Sequence, residues 1–298
     1  MAGRHGRDPP AADSRRARGR DRGASLTGLA TEGLPASLRG EGQPGFALFE
    51  GFAAPERVEA MLDGVIGIAR AAAEGRDVAP AFVMRESQEG FSGENPEDLV
   101  SKVFRLHRSG PFRRFLADPR VGEILGAAIG PDVDCFLSQF IFKNPGAWGQ
   151  PWHQDSYYFP FEPARPVVGL WLAVTEATLD NGCLHVLPES QMEPLHPHVP
   201  DPRPRSLYGY TEIVDHDMSE SQPCLLSPGD LLVFDSHLMH RSTDNVADGF
   251  RAAMVWHLAG AGTVDRGIEL PDGSRRASPV HDWMPVLRGG DVVPAEES

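Results

Sequence analysis

The chain has 298 residues, enough for one large domain or two small ones whose core needs no covalent reinforcement. Its formal net charge of −14 disfavours a general nucleic-acid-binding surface, and no apolar run approaches the length needed to cross a bilayer. Three widely separated cysteines, Cys135, Cys183 and Cys224, lack Cys-x-x-Cys spacing. They argue against a disulfide framework or a structural zinc site and favour a reducing, cytoplasmic location.

Residues 1–25 differ from the rest of the chain. Their arginines lie among Gly, Pro, Ala and Asp with almost no large apolar residue. Such a segment buries too little surface to offset its ordering entropy, so we predict a disordered, Arg-rich tail. Arg15 and Arg16 resemble the start of a twin-arginine export signal, but no apolar segment follows them. Residues 26–298 are expected to form a single domain.

The next part of the chain predicts one strand and two helical regions. The run from Gly45 to Phe52 alternates like a strand, and Pro55 opens a helix that ends at Gly75. Residues 111–130 have the apolar spacing of one or two further helices. Residues 76–110 are loop-rich and are expected to supply substrate contacts, because binding residues often lie on loops over a rigid scaffold. The candidates in this loop region are Phe82, Met84, Arg85 and Phe91.

From Asp132 onward, short apolar strands alternate with Gly, Pro and Asp turns. The predicted strands are residues 135–143, 167–173, 183–187, 231–234 and 250–258, the last of these being the final strand. A Pro- and His-bearing excursion at 188–222 interrupts the series. We therefore expect a mainly β domain with flanking helices, whose core is a double-stranded β-helix of the jelly-roll, cupin-like kind.

The run Trp152-His153-Gln154-Asp155 predicts a metal site. In extended backbone, residues two apart point to the same side, so His153 and Asp155 can reach one ion. Two histidines and one carboxylate form the facial triad of non-heme Fe(II) oxygenases. The second histidine is either His237 or His240; being three apart, they face opposite ways in a strand, and periodicity does not choose between them.

Arg251 is the second candidate functional residue. It lies in an apolar strand before Ala252, Ala253 and Met254, where an inward guanidinium without a partner would be costly. A planar guanidinium matches a carboxylate in a bidentate pair, so a dicarboxylate cosubstrate would supply that partner. The alternative is that Arg251 points to solvent or pairs with an acid such as Asp248.

The chain resembles the phytanoyl-CoA dioxygenase family of Fe(II)- and 2-oxoglutarate-dependent oxygenases. The resemblance covers roughly residues 40–260, and its four blocks have the order and spacing typical of the family. The blocks are Pro151–Asp155 with Tyr158–Phe161, Trp171 through Asn181–Leu184 to Pro188, Gly229–Phe234, and Leu238–Ser242 with Asn245 and Gly249–Arg251.

The resemblance implies roles for individual residues. The family's distal His, followed two residues later by Ser, corresponds to His240 and Ser242, and its cosubstrate Arg, eleven residues after that His, corresponds to Arg251. Lys143, Trp171 and Ser242 are implied as helpers at the 2-oxoglutarate end. The remaining histidines of these regions are then bystanders: His185, His196, His198, His216, His237 and His257.

His153, Asp155 and His240 are therefore expected to bind Fe(II), with 2-oxoglutarate as cosubstrate and O2 as oxidant. The implied reaction is hydroxylation of an unactivated C–H bond of a small molecule, with release of succinate and CO2. Asp155 favours this chemistry, because related halogenases carry a small residue in place of the carboxylate. Where the family usually has Pro-Gly-Ser/Thr-His, this chain has Pro188-Glu189-Ser190-Gln191, so details of substrate and lid need not match the better-known members.

Two other classes stay open at this point: a cupin-like metalloenzyme that does not use 2-oxoglutarate, and a non-catalytic jelly-roll binding protein. A dispensable Arg251 would favour the first, and failure to bind Fe(II) the second. The substrate is a CoA thioester, as the family name suggests, or a small natural-product intermediate or amino-acid-like compound. The acidic folded part has no evident Lys/Arg cluster for CoA phosphates. We expect no nucleic-acid or membrane partner.

Overall fold

The computed structural model describes residues 38–88, 91–108, 110–164, 166–203, 209–269 and 273–295. The predicted tail at residues 1–25 lies outside these ranges. Within them, no helix combines the length and the apolar character that a bilayer crossing requires. The described residues contain three α-helices: α1 (Pro55–Ala73), α2 (Gly110–Leu116) and α3 (Pro119–Ala128).

The helix ends follow from local chemistry. Pro55 occupies the first turn of α1, where a missing N–H removes no helical hydrogen bond. Gly75 follows α1 with φ +76°, a left-handed conformation that Gly adopts without strain. Asp118 caps α3 by accepting a hydrogen bond from the Arg120 amide. The predicted helix at residues 55–75 is confirmed, and the region 111–130 forms two helices.

Eighteen strands occur among the described residues. They are β1 (Phe46–Phe49), β2 (Phe82–Arg85), β3 (Val100–Phe104), β4 (Val133–Lys143), β5 (Phe161–Glu162), β6 (Val167–Ala173), β7 (Leu184–Val186), β8 (His198–Pro200), β9 (Thr211–Ile213), β10 (Gln222–Cys224), β11 (Leu231–Asp235), β12 (His240–Ser242), β13 (Arg251–Gly260), β14 (Val264–Asp265), β15 (Ile268–Glu269), β16 (Arg275–Arg276), β17 (Met284–Arg288) and β18 (Asp291–Val292). The predicted series of short strands is thus confirmed.

Two antiparallel sheets form the core of a double-stranded β-helix. The major sheet has the order β1-β11-β6-β13-β4-β17-β18, and β3 joins it beside β4 with β2 at its outer side. The minor sheet has the order β10-β7-β12. The inner face of the major sheet packs on the minor sheet through apolar residues such as Trp171, Val255, Leu184 and Val186. This interior is where the candidate site lies.

The helices cover the outer face of the major sheet. Trp256 of β13 stacks on Phe115 of α2, with ring centroids 4.5 Å apart and planes 4° from parallel. Because successive strand residues point to opposite faces, Trp256 faces the helices while Val255 and His257 face the interior. Nine of the ten residues of β13 are buried, because the helices cover one face of this strand and the interior covers the other. Its sequence therefore does not alternate between apolar and polar residues.

Sequence reasoning missed strands in two places. Most described residues of 76–110 lie outside strands and helices, as expected, but Phe82–Arg85 and Val100–Phe104 pair antiparallel, and the second strand extends the sheet at β4. Residues 250–258 were expected to form the final strand, yet Met284–Arg288 pairs with the first residues of β4. All five residues of Val100–Phe104 are buried, so this strand lacks the polar alternation that marks a half-exposed strand.

Candidate active site

His153 and His240 are brought together by an antiparallel bridge. The His153 amide donates to the His240 carbonyl at 2.9 Å, and the His240 amide donates to the His153 carbonyl at 3.0 Å. Directly opposed residues of an antiparallel pair project to the same face. Their imidazole centroids are therefore only 4.1 Å apart. The bridge selects His240 over His237, whose carbonyl instead accepts a hydrogen bond from the Gln154 amide group.

Both imidazoles have a fixed tautomer. His153 Nδ1 lies 2.8 Å from the Pro151 carbonyl, and His240 Nδ1 lies 2.9 Å from the Leu238 carbonyl. A carbonyl only accepts, so each Nδ1 carries the proton and each Nε2 of the neutral ring presents a lone pair. Burial lowers the pKa of His240 to about 4, which keeps this ring neutral at physiological pH.

Asp155 completes the group. Gln154 is extended and Asp155 opens a short 3-10 turn, so the side chains of His153 and Asp155 share one side although no regular strand surrounds them. Asp155 Oδ1 lies 3.4 Å from His153 Nε2 and 3.8 Å from His240 Nε2. One ligand atom from each of the three residues lies within 4.8 Å of the others. The sequence-derived triad is therefore assembled in space, and all three residues are buried.

His257 holds the other oxygen of Asp155. Its Nε2 donates to Asp155 Oδ2 at 2.8 Å, in a buried setting. Burial opposes ionisation of Asp155, but the neighbouring His257, His240 and His153 hold the pKa of this carboxyl well below its usual range. Asp155 is therefore an ionised carboxylate whose Oδ2 accepts the hydrogen bond from His257 and whose Oδ1 faces His153 and His240. The resemblance had left His257 as a bystander; the structure places it against a triad residue.

Arg251 lies in the same pocket with unmet hydrogen-bonding capacity. Its Nη2 donates to the Gly182 carbonyl at 2.7 Å, and its guanidinium lies 5.5 Å from the Trp171 ring centroid. Nε and Nη1 are buried and have no hydrogen-bond partner among the described residues. Burial lowers the pKa of Arg251 to about 10, so it stays charged at neutral pH. It is 1% exposed, which contradicts the alternative in which it points to solvent.

Lys143 and Ser242 form a contact of their own. Lys143 Nζ donates to Ser242 Oγ at 2.8 Å and to the Thr243 carbonyl at 2.6 Å. Lys143 is also the register partner of Arg251 in the neighbouring strand. Burial and the Arg251 charge lower the pKa of Lys143 well below its ordinary value. The ammonium of Lys143 is thus engaged by the protein, in contrast to the guanidinium of Arg251.

All seven predicted site residues line one pocket. The triad, Arg251, Lys143, Ser242 and Trp171 share it with residues that sequence reasoning missed, notably Lys102, Glu86 and Tyr210. Lys102 is buried, its ammonium lies 5.0 Å from the Tyr210 ring centroid, and burial lowers its pKa to about 8. The loop region proposed for substrate contacts does reach the pocket, through Glu86 and Lys102 rather than through the four residues singled out.

The donor set fits a divalent metal ion. Two unprotonated imidazole nitrogens and one ionised carboxylate oxygen converge, and no hydrogen-bond donor lies between them in the geometry above. Three buried lone-pair donors repel one another unless a cation lies between them. Two histidines and one carboxylate with open positions suit non-heme Fe(II). Beside them, the unmet donors of Arg251 suit a carboxylate ligand.

The fold and site define a double-stranded β-helix protein with a two-histidine, one-carboxylate centre of the non-heme iron kind. The chain belongs to the phytanoyl-CoA dioxygenase family, whose model matches residues 42–253. The peroxisomal phytanoyl-CoA dioxygenase of Bos taurus is 32% identical over 171 residues, covering 55% of this chain and 51% of the relative. The phytanoyl-CoA dioxygenase domain-containing protein 1 of Rattus norvegicus is 32% identical over 180 residues, covering 57% and 60%. The chain thus spans about half of the former relative's length and three fifths of the latter's.

Solved structures share the architecture. The non-heme alpha ketoglutarate dependent epimerase SnoN from nogalamycin biosynthesis superposes with a TM-score of 0.56 at 18% identity, covering 85% of this chain and 92% of SnoN. EvdO2 from Micromonospora carbonacea var. aurantiaca, complexed with 2-oxoglutarate, superposes with a TM-score of 0.53 at 22% identity, covering 80% and 93%. At these identities the likeness establishes the fold.

Proposed function

We propose that this chain is an Fe(II)- and 2-oxoglutarate-dependent dioxygenase that hydroxylates an unactivated C–H bond of a small molecule, releasing succinate and CO2. The observation that carries the proposal is the guanidinium of Arg251, buried in the triad pocket with two N–H groups unmet by the described residues. A buried cation without an ionic partner is costly, which favours an anionic ligand at this position. Residues 26–298 are proposed to be the single catalytic domain.

The pocket suits a dicarboxylate because three buried basic side chains line it, and none of them is bonded to a protein carboxylate among the described residues. They are Arg251, Lys102 and Lys143, and Lys143 already donates to Ser242 Oγ and the Thr243 carbonyl. We assign Arg251 to the distal carboxylate of 2-oxoglutarate, with Trp171 packed against the guanidinium. Lys102, which is attracted to Asp155, is assigned to the keto acid end beside the triad.

His153, Asp155 and His240 would hold the iron. Bound Fe(II) would supply the redox chemistry that couples O2 reduction to decarboxylation of 2-oxoglutarate and oxidation of the substrate. The carbonyls of Pro151 and Leu238 keep each histidine Nε2 unprotonated and aimed at the shared point. The carboxylate of Asp155 keeps one ligand position filled by protein, which favours hydroxylation over halogenation.

The other residues of the pocket wall indicate which kind of substrate fits. Apolar residues such as Ile141, Val255 and Phe234 exclude water, and Glu86 with Tyr210 adds polar groups near Lys102. This mixed wall suits a small molecule with an apolar carbon skeleton and a few polar groups, as in a natural-product intermediate. The relatives named phytanoyl-CoA dioxygenase make an acyl-CoA substrate the second choice.

We propose a cytoplasmic location on the basis of cysteine chemistry. Cys135, Cys183 and Cys224 are all buried and free. Burial raises the pKa of each thiol, so none is activated as a thiolate. A chain that keeps its cysteines reduced suits a reducing compartment.

The test combines binding with turnover. Protein loaded with Fe(II) without oxygen receives 2-oxoglutarate and then air, and succinate is measured. We expect succinate from the parent chain and none from Asp155→Ala. Arg251→Ala should bind 2-oxoglutarate roughly 10- to 100-fold more weakly, because a hydrogen bond to a charged group contributes about 1.5–3 kcal/mol.

Arg241→Ala is the matched control. Arg241 follows His240 in the same strand but projects to the opposite side, over Trp152 at 5.1 Å. This variant should keep the parental affinity for 2-oxoglutarate. Parental affinity in Arg251→Ala would refute the assignment of Arg251 to the distal carboxylate. A parent chain that binds Fe(II) but not 2-oxoglutarate would point to a metalloenzyme that does not use this cosubstrate. Failure of the parent chain to bind either Fe(II) or 2-oxoglutarate would refute the oxygenase proposal.

A further inference from the structure

A second cluster of metal-ligating side chains lies outside the active-site pocket, in the excursion between β7 and β10. It consists of Glu193, His196 and His216, here called the Glu193 cluster, whose ligand atoms lie within 4.8 Å of one another. Glu193 Oε2 lies 2.9 Å from His196 Nε2 and 3.1 Å from His216 Nε2. The three residues are partly exposed, whereas the triad is buried.

The rings of His196 and His216 face more hydrogen-bond acceptors than two neutral rings have protons to donate. His196 Nδ1 faces the Asp215 carboxylate at 3.3 Å, and His216 Nδ1 faces the Asp217 carbonyl at 2.9 Å. Both Nε2 atoms face the Glu193 carboxylate. All four ring nitrogens therefore face oxygens that only accept, while two neutral rings carry only two protons. A cation between the two Nε2 atoms and Glu193 would let each ring keep its single proton on Nδ1, where it faces the outer acceptor.

His198, two residues further along, shows the pattern of a satisfied neutral ring. Its Nδ1 donates to the His196 carbonyl at 2.8 Å, and its Nε2 accepts from the Gln154 amide at 3.1 Å. One nitrogen donates and the other accepts, so nothing further is required. His196 and His216 differ because each has an acceptor on both sides.

We infer that the Glu193 cluster is a second metal site, which binds a divalent transition metal of the Zn2+ class through Glu193, His196 and His216. Imidazole and carboxylate are ligands that Zn2+ prefers. Ligands about 2.0–2.1 Å from a tetrahedral ion lie about 3.3 Å apart, so the observed separations of 2.9 and 3.1 Å need only a small expansion. Partial exposure leaves a fourth position for water.

The outer partners of the rings match those of metal-bound histidines. A ligating histidine usually donates its other N–H to a carboxylate or a carbonyl, which fixes the ring and raises its basicity. His196 has the Asp215 carboxylate in this position and His216 has the Asp217 carbonyl. The expectation of no structural zinc site rested on the cysteine pattern alone, and this site is built without thiolates.

The position of the site gives the metal a structural role. The His196 amide donates to the Gln154 side chain at 2.9 Å, and the Ile213 amide donates to the Trp152 carbonyl at 2.8 Å. The two arms of the excursion thus attach on either side of His153. A metal held by His196 on one arm and His216 on the other would cross-link them. Metal binding at the Glu193 cluster is expected to stabilise the segment that flanks the triad.

The experiment counts Zn2+ ions bound by the full chain after chelator treatment, in competition with a chromophoric zinc chelator near neutral pH. We expect two equivalents for the parent, one for Asp155→Ala, one for His216→Gln and none for the double variant. His185→Gln, which changes a half-buried histidine outside both groups, is the matched control and should keep two. Zn2+ should raise the Tm of Asp155→Ala but not that of the double variant.

The design separates this inference from the proposed oxygenase function. If the triad does not bind Zn2+, Asp155→Ala leaves the count unchanged, while His216→Gln still removes one equivalent. The inference is overturned if Asp155→Ala binds no Zn2+ with micromolar affinity, or if Glu193→Gln and His216→Gln leave its binding intact. In that case the cluster is a hydrogen-bonded network without a metal.

Discussion

Replacing His257 by Leu tests how the pocket prepares Asp155 for metal binding. The change removes the 2.8 Å hydrogen bond to Asp155 Oδ2 and leaves a buried carboxylate with one partner fewer. A hydrogen bond to a charged group contributes about 1.5–3 kcal/mol. Loss of an outer partner of a metal ligand typically lowers metal affinity 10- to 100-fold, which is about 1.4–2.7 kcal/mol. The two estimates agree, so we expect a Kd for Mn2+ that is 10- to 100-fold higher.

The same change also alters the pH dependence of metal binding. Burial alone would raise the pKa of Asp155, and His257 is among the neighbours that oppose this. Without His257, the pKa of Asp155 rises, and because only the carboxylate binds metal, the loss of affinity grows as the pH falls. A purely structural role for His257 would lower affinity equally at every pH.

Mn2+ serves as the redox-inert probe, and free Mn2+ is measured by electron paramagnetic resonance without oxygen. Trp256→Phe is the matched control, because Trp256 neighbours His257 in β13 but faces the helices. It should keep the parental Mn2+ affinity. His257→Gln, whose amide can still donate to Asp155, should recover part of the loss. The reasoning fails if His257→Leu binds Mn2+ as tightly as the parent across the pH range.

Two further predictions concern stability. Gly182→Ala should lower the free energy of unfolding by about 1–3 kcal/mol in denaturant titrations, because Gly182 has φ +87° and a Cβ would lie 2.4 Å from Lys143 Cδ and 2.6 Å from the Thr243 carbonyl oxygen; unchanged stability would contradict this. His107 is buried and its pKa is lowered to about 4, so between pH 4 and its ordinary value of about 6.5 the unfolded chain binds more protons. Stability should therefore fall as the pH drops through this window, by at most about 1.4 kcal/mol per pH unit, and His107→Gln should flatten that slope.

The part of the triad that is local in sequence, the pair His153 and Asp155, was predictable. His153 and Asp155 are two positions apart, and short extended backbone at Gln154 suffices to align them. His240 was not separable from His237 by periodicity, because that choice depends on which residue pairs with His153 across the interior. The backbone bridge between His153 and His240 settles it, and it joins residues far apart in sequence.

Contacts across strands explain what sequence reasoning missed at the site. His257 lies six residues after Arg251, so an even spacing in one strand did place both side chains on the interior face. That signal was available, but it does not show that Asp155 lies opposite. Sequence reasoning missed Lys102 for a different reason. Its strand is buried along its whole length and lacks the polar alternation by which a half-exposed strand is recognised.

The Glu193 cluster was harder to predict from the sequence than the triad. Glu193 and His196 are three apart, but His216 joins them from the other arm of the excursion, where β8 and β9 pair with His198 opposite Ile213. Besides this pairing, each arm has its own anchor, the Gln154 side chain for one arm and the Trp152 carbonyl for the other. Both anchors belong to the run that carries His153 and Asp155. The motif proposed to bind the iron therefore also anchors the arms that carry the ligands proposed for the second metal, a coupling that only the folded chain reveals.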